Sequence, residues 1–408
     1  MYSPYWSRQH DSRNFFAPEN GGHFGYIGYI YKNLHLPVGS PIDFWCFYNP
    51  PLFYILSTIA IKITEFFTNS IDTSFECLQL LSFSYYIVFI TYLYKILKEL
   101  EIQKSLIPTL LFISLSPALL IMSGSINNDM LSICLSIMAI YYTMLWYKND
   151  SLKELIKIAL TISLAIMTKI SSALIAVAIA FVFLIKIIKN TKEFSKYIYH
   201  FTIFAIISLP IGLWFPIKNL ILYDIPLNYV QSVDESSGAN ISRYSTIDRF
   251  FKINRKHLDS VNIDMGPETP EYNLFITTLK SFIIDEHIDY ENNKVLSIVI
   301  PGIFFLSIII SIFYLIYIIY VIINKKKLNN WLYFFFLLGI LQISSYITFC
   351  FNYPFTFTMN FRYLIPSLIT YAVITSLASE KSRNLYYLNT TISYIFSFLV
   401  IIMFTNII

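Results

Sequence analysis

Val295–Ile323, VLSIVIPGIFFLSIIISIFYLIYIIYVII, carries no charged side chain, and Lys325, Lys326 and Lys327 follow it almost at once. A helix of about 20 apolar residues crosses the hydrocarbon core of a bilayer, so this run predicts a membrane span. The basic triplet marks its cytoplasmic end. Similar runs lie outward on both sides: 77 to 97, 105 to 123, 129 to 147, 153 to 168, 170 to 189 and 198 to 221 before it, and 331 to 350, 361 to 379 and 389 to 408 after it. The reading is an all-α polytopic membrane protein of about ten transmembrane helices.

Composition agrees with that class. Hydrophobic residues make up 56% of the 408 and charged ones only 13%, with mean hydropathy +0.59. A water-soluble surface cannot be assembled from what is left. The net charge of +4 comes from lysines clustered between apolar runs, which excludes a nucleic-acid face. Cys46, Cys77, Cys134 and Cys350 are scattered, with neither Cys-x-x-Cys nor histidines at ligand spacing, so no metal or disulfide scaffold is expected.

Alternating the spans places the basic loops on one side. Lys95, Lys98 and Lys104 form the first, Lys148, Lys153 and Lys157 the second, Lys186, Lys189, Lys192 and Lys196 the third, then Lys325 to Lys327, then Lys381 with Arg383. The opposite short loops hold little that is basic except Lys169 and Arg362. That pattern makes the basic side cytoplasmic and the chain an integral, multi-pass protein, expected in a bacterial plasma membrane. Four segments follow: an outer-face first loop with an interfacial helix at 1–76, a six-helix bundle at 77–221, an extracytoplasmic loop at 222–294, and a four-helix bundle at 295–408. The run at 51 to 67 contains Lys62 and Glu65 and is short, so it reads as a helix lying on the membrane, a true first span being the alternative. Since the first 76 residues would have to cross the membrane without a signal sequence or preceding span, an upstream first helix is expected to have been lost or left unannotated. Within the extracytoplasmic loop, Asp224 to Lys294 has 12 acidic and 7 basic residues, and Ser245–Leu258, STIDRFFKINRKHL, reads either as an amphipathic helix on the head groups or as a solvated loop.

Outer-side polar residues are few, and a charge near the bilayer costs roughly 2.5–3.5 kcal/mol on insertion scales. Asp129, in Asn127-Asn128-Asp129, opens a span, where helix capping is the plain explanation. Lys169 lies in Thr168-Lys169-Ile170-Ser171, where snorkelling is the plain explanation. Lys218 precedes Asn219 at the end of a span, and Arg362 opens another after NYPFTFTMNF. A set of cations with one carboxylate is also what an anionic lipid head group requires.

The order of these motifs carries a resemblance. Gly-Gly-His23, then Tyr-Asn49-Pro50-Pro51-Leu52-Phe-Tyr54, Asn128-Asp129, Thr168-Lys169, Lys218-Asn219, Tyr223-Asp224-Ile-Pro226 and Phe361-Arg362-Tyr363-Leu-Ile-Pro366 resemble the GT-C superfamily of polytopic glycosyltransferases, closest in style to mannosyl- and aminoarabinosyl-transferases. The first loop departs from the pattern, with Glu19-Asn20 where relatives more often carry Asp. The resemblance implies transfer of a sugar from a polyprenyl-phosphate donor to a lipid, glycan or protein acceptor on the outer face. It implies Glu19 as base, with His23 orienting it or sharing its proton. Asp129 would position the acceptor or a divalent cation, and Lys169, Lys218, Arg362 and Tyr363 would hold the donor. Asp43, near Trp45, is the rival base. A transporter, an inactive relative, and a surface-polysaccharide polymerase or ligase are the competing classes. Transporters usually place polar breaks at mid-membrane, whereas the isolated charges here sit at span ends.

Overall fold

The computed structural model describes residues 14–17, 21–227, 229–231, 234, 236–284, 289–324 and 331–407. Among these, regular structure is helical, and the single β-bridge is the isolated pair Asn240 and Phe355.

Seven helices are long and apolar enough to span a bilayer: α3 (Ile71–Glu99), α6 (Asp129–Asn149), α8 (Ala173–Lys189, with a 3₁₀ turn before it), α9 (Phe194–Tyr223), α12 (Leu296–Ile323), α13 (Leu332–Asn352) and α15 (Arg383–Ile407). Two more expected spans are broken. Run 105 to 123 becomes α4 (Leu106–Ser114) and α5 (Pro117–Gly124), bent by 54°, and run 361 to 379 becomes the 3₁₀ segment Thr356–Leu364 followed by α14 (Ser367–Lys381), bent by 52°. Proline stands at each break, Pro117 and Pro366, where the missing N–H ends the preceding helix. The tenth run, 153 to 168, is the 15-residue α7 (Leu152–Ile166), whose length of about 22 Å at 1.5 Å per residue is short of the hydrocarbon core. The length criterion thus gives seven to nine spans. In the first loop α1 covers Gly22–Asn33, and α2 (Leu52–Thr64, 13 residues) is too short to cross.

The chain forms two compact units. Of the described residues, one comprises 14–96 and 122–231, here the N-terminal unit; the other comprises 97–121 and 234–407, here the C-terminal unit. In the N-terminal unit α7 packs between α6 and α9, and a separate aromatic core of Phe15, Phe24, Tyr26, Phe47, Tyr54 and Phe75 joins α1, α2 and the start of α3. Close approach builds that core: a Cβ on Gly28 would sit 1.9 Å from the Phe15 carbonyl oxygen, so only glycine lets residues 14–17 lie against α1.

In the C-terminal unit α4 packs against α14 and α15. Thr109 on α4 accepts from Ser376 Oγ at 3.0 Å and Asn389 Nδ2 at 3.2 Å. Glu380 Oε1 accepts from the backbone N–H groups of Gln103, Lys104 and Ser105 at 3.1, 2.7 and 3.1 Å, satisfying donors in the turn that leads into α4. The 222–294 region contributes α10 (Thr246–Phe251) and α11 (Leu274–Ile283). The amphipathic stretch Ser245–Leu258 is thus a six-residue helix and a 3₁₀ turn, Arg255–Leu258. Thr356 N–H donates to Ala239 O at 2.9 Å and Ile241 N–H to Pro354 O at 2.8 Å, tying the region to the 354–356 loop. Glu271 and Lys280, each 1% exposed, form a buried ion pair beneath it.

Candidate active site

The N-terminal unit gathers polar side chains at the beginnings of three helices. At α1 the chain enters through Gly22 at φ 60°, a left-handed conformation that glycine adopts without strain. A Cβ on the preceding Gly21 would lie 2.4 Å from the Asn14 carbonyl oxygen. His23, buried, follows directly, and its Nδ1 lies 2.7 Å from the Tyr54 hydroxyl. Tyr54 stands in the first turn of α2, which Pro51 opens without an N–H to leave unsatisfied.

Tyr54 is wholly buried and His23 Nδ1 is the partner of its hydroxyl, so the two polar groups satisfy one another. Which of the two atoms donates follows the tautomer of His23. Burial, with a smaller contribution from the Asp129 charge, holds the Tyr54 phenol well above its ordinary pKa, so it keeps its proton. Behind it the ring of Tyr26 stacks on Tyr54 at 4.1 Å and on Phe47 at 4.4 Å, fixing the phenol's position.

The third helix, α6, begins at Asp129. Asn127 Oδ1 accepts from the Asp129 N–H at 3.0 Å, and Asn128 Nδ2 donates to the Thr168 carbonyl at 2.9 Å. Asn127 is thus the capping side chain, which releases the Asp129 carboxylate to pair with Lys169 Nζ. One step below, the Ser132 and Ser172 hydroxyls meet at 2.7 Å. The Leu52 N–H donates to Met167 O at 3.1 Å, pinning the start of α2 to the turn that bears Lys169. Asp129 and Lys169 therefore form an ion pair in which the carboxylate is buried and the lysine part-buried, with side chains 5% and 20% exposed. Asp129 thus pairs with Lys169 while standing in the first turn of α6, where its charge also suits the helix dipole.

Other expected site residues lie differently. Lys218 is half-buried near the end of α9. Its neighbour Asn219 lines a cleft of about 30 Å³ with Tyr48, Asn49, Ile170 and Tyr229. Asp43 is exposed on the loop between α1 and α2. Glu19 lies outside the described residues. Arg362 and Tyr363 belong to the C-terminal unit, in the 3₁₀ turn Phe361–Leu364, where Arg362 Nη2 donates to the Tyr363 hydroxyl at 2.8 Å. The Asn360 carboxamide caps that turn through the Arg362 N–H at 2.8 Å. Among the described residues no three His, Cys, Asp or Glu side chains group as metal ligands would. The partnership that sequence reading left without a role is Tyr54 with Tyr26; its signal is an aromatic placed three residues after Pro51.

A helical polytopic membrane protein with a buried carboxylate–lysine pair at the end of its spans is the class this fold and site define. Residues 49–214, less than half of the chain, match the model of the dolichyl-phosphate-mannose-protein mannosyltransferase family. Over that stretch the chain is similar to this family of GT-C polytopic glycosyltransferases, a likeness that points to a membrane glycosyltransferase. Neither a curated protein nor a solved structure matches the chain.

Proposed function

We propose that the protein transfers a sugar from a polyprenyl-phosphate donor to an acceptor hydroxyl at the outer membrane face. The observation that carries this reading is the Asp129–Lys169 ion pair at the start of α6, in the same unit as the His23–Tyr54 hydrogen bond. Taking charged groups out of water is costly even when they pair, and this pair stands within the stretch that matches the glycosyltransferase family, with His23 on the N-terminal side of it.

In the reaction the acceptor hydroxyl loses its proton to a carboxylate as its oxygen bonds the anomeric carbon. The bond from that carbon to the phosphate oxygen breaks, and the electron pair leaves with the lipid phosphate. Glu19 is assigned as the base, with His23 orienting it or sharing its proton. Asp129 holds Lys169 in place, and Lys169 supplies positive charge for the transferring group, with Lys218 as a further cation of the same unit.

The C-terminal unit offers features suited to the lipid part of the donor. An apolar groove of about 440 Å³ runs along α12, α13 and α14, lined by Ile310, Tyr314, Ile318, Ile340 and Tyr371 and reaching Phe361. Arg362, held by Tyr363, follows Phe361 in sequence and is assigned to the lipid phosphate, which an arginine can grip at two oxygens. Polyprenyl-phosphate mannose is the probe for the test. Glu19→Gln should lower turnover by about 10²-fold or more, the usual contribution of a general base, and Asp43→Asn should leave it within about threefold. Loss of turnover in Asp43→Asn with retention in Glu19→Gln would reverse the assignment of the base.

A further inference from the structure

The feature that the transfer reaction does not use is Arg249, a cation only 3% exposed. Its Nη2 donates to the Cys350 carbonyl at 2.7 Å, and its guanidinium lies 4.2 Å from the Phe351 ring. Cys350 is in the last turn of α13, where carbonyls lack intrahelical donors and the helix dipole is negative. Arg249 therefore caps a membrane-spanning helix, which accounts for a buried cation that has no carboxylate partner among the described residues. Phe250 stacks on Phe351 at 5.0 Å, and Asn273 Nδ2 donates to the Phe250 and Lys252 carbonyls at 3.4 and 3.2 Å. These contacts fix α10 at the C-terminal end of α13.

The outward side of α10 is apolar. Ile247 and Phe251, four residues apart and so on one face, are 72% and 77% exposed; Phe275 and Ile253 beside them are 59% and 54% exposed. Lys252, Arg255 and Lys256, all exposed, flank this patch, and Asp248 lies 3.8 Å from Lys252 as its counter-ion. An apolar strip with a cationic border at the end of a span matches the head-group and acyl boundary of a bilayer, and the uncompensated cations match anionic lipid. We infer that α10 with the Arg255–Leu258 turn is a lipid-binding surface that seats Ile247 and Phe251 in the leaflet and holds anionic head groups with Arg255 and Lys256.

Nitroxide labels test this on the full chain in nanodiscs of phosphatidylglycerol or of phosphatidylcholine. Cys77 is replaced by serine, since the other three cysteines are buried. Labels are placed singly at Phe251→Cys, Ile247→Cys and the exposed Ser236→Cys. Labels at 247 and 251 should collide with oxygen more than with a water-soluble nickel complex, with the reverse at 236. In the anionic bilayer the paired substitution Arg255→Glu and Lys256→Glu should raise nickel access at 251 at least twofold, and in the zwitterionic bilayer it should not. Nickel access at 251 equal to that at 236 in both bilayers overturns the assignment and leaves the patch to a soluble partner. Burial of the 251 label that is indifferent to lipid charge and to the paired substitution overturns the anionic part.

Discussion

Replacing Lys169 by methionine keeps the length and apolar stem of the side chain and removes its charge. Asp129, with a side chain 5% exposed, then keeps its negative charge without its cation. Breaking a buried pair from one side costs about 3–5 kcal/mol. The N-terminal dipole of α6 and the N–H groups of its first turn return about 0.3–1 kcal/mol of this. The net expectation is about 3 kcal/mol of lost stability for Lys169→Met. The companion change Asp129→Asn keeps the shape and removes the unpaired charge, so the double variant should return to within about 1 kcal/mol of the parent. Unfolding of the four proteins in nanodiscs gives the cycle, and transfer from polyprenyl-phosphate mannose is measured on the same preparations. A pair that only braces the fold would recover activity with stability in the double variant. A pair that serves transfer leaves the double variant stable and inactive. A loss below about 1 kcal/mol in Lys169→Met would show that the pair is solvated, and the reasoning from burial would fail.

Tyr54→Phe removes the hydroxyl hydrogen-bonded to His23 Nδ1 and should lower kcat about tenfold, the equivalent of one hydrogen bond of about 1.4 kcal/mol, with KM little changed; steady-state kinetics with the same donor decide it. Glu271→Gln leaves Lys280 buried without its anion and should destabilise the C-terminal unit by about 3–5 kcal/mol, read by thermal unfolding. Burial holds the His257 imidazole below its ordinary value of 6.5, so the unfolded chain binds the proton first. Stability of the C-terminal unit should therefore fall as pH drops below about 6.5, and His257→Gln should flatten that slope in unfolding curves taken from pH 7.5 to 5. Labelling by an impermeant thiol reagent in intact cells should reach Ser237→Cys and not Lys192→Cys; the reverse pattern would invert the membrane sidedness.

Long apolar runs bounded by lysines made the membrane class legible, because one feature, about 20 residues without charge, is both necessary and local. Breaks at Pro117 and Pro366 are local too, yet their consequence depends on how the two halves pack. The 153 to 168 run shows the limit of counting: Lys153, Glu154 and Lys157 occupy its first turns, and what remains is a short helix held between α6 and α9. Asp129 and Lys169 were recognisable as candidates because charges at span ends are costly. Their pairing, 40 residues apart, was not, since it rests on the Leu52 to Met167 and Asn128 to Thr168 hydrogen bonds between segments distant in sequence. Tyr54 was less visible still: in a chain that is 18% aromatic, its place three residues after Pro51 is a weak signal, and its hydroxyl is tied to His23 only by the fold. The packing of α4 on α14 and α15 likewise depends on Thr109 meeting Ser376 and Asn389, more than 260 residues away.

The most direct measurement is donor consumption by the purified, folded protein in nanodiscs, with labelled polyprenyl-phosphate mannose and nucleotide-linked mannose offered in parallel with a membrane extract as acceptor. The lipid-linked donor should be consumed with release of polyprenyl phosphate, and the nucleotide-linked donor should remain intact. Transfer from the nucleotide donor, or no release of polyprenyl phosphate by folded protein, would contradict the assignment of a lipid-linked glycosyltransferase.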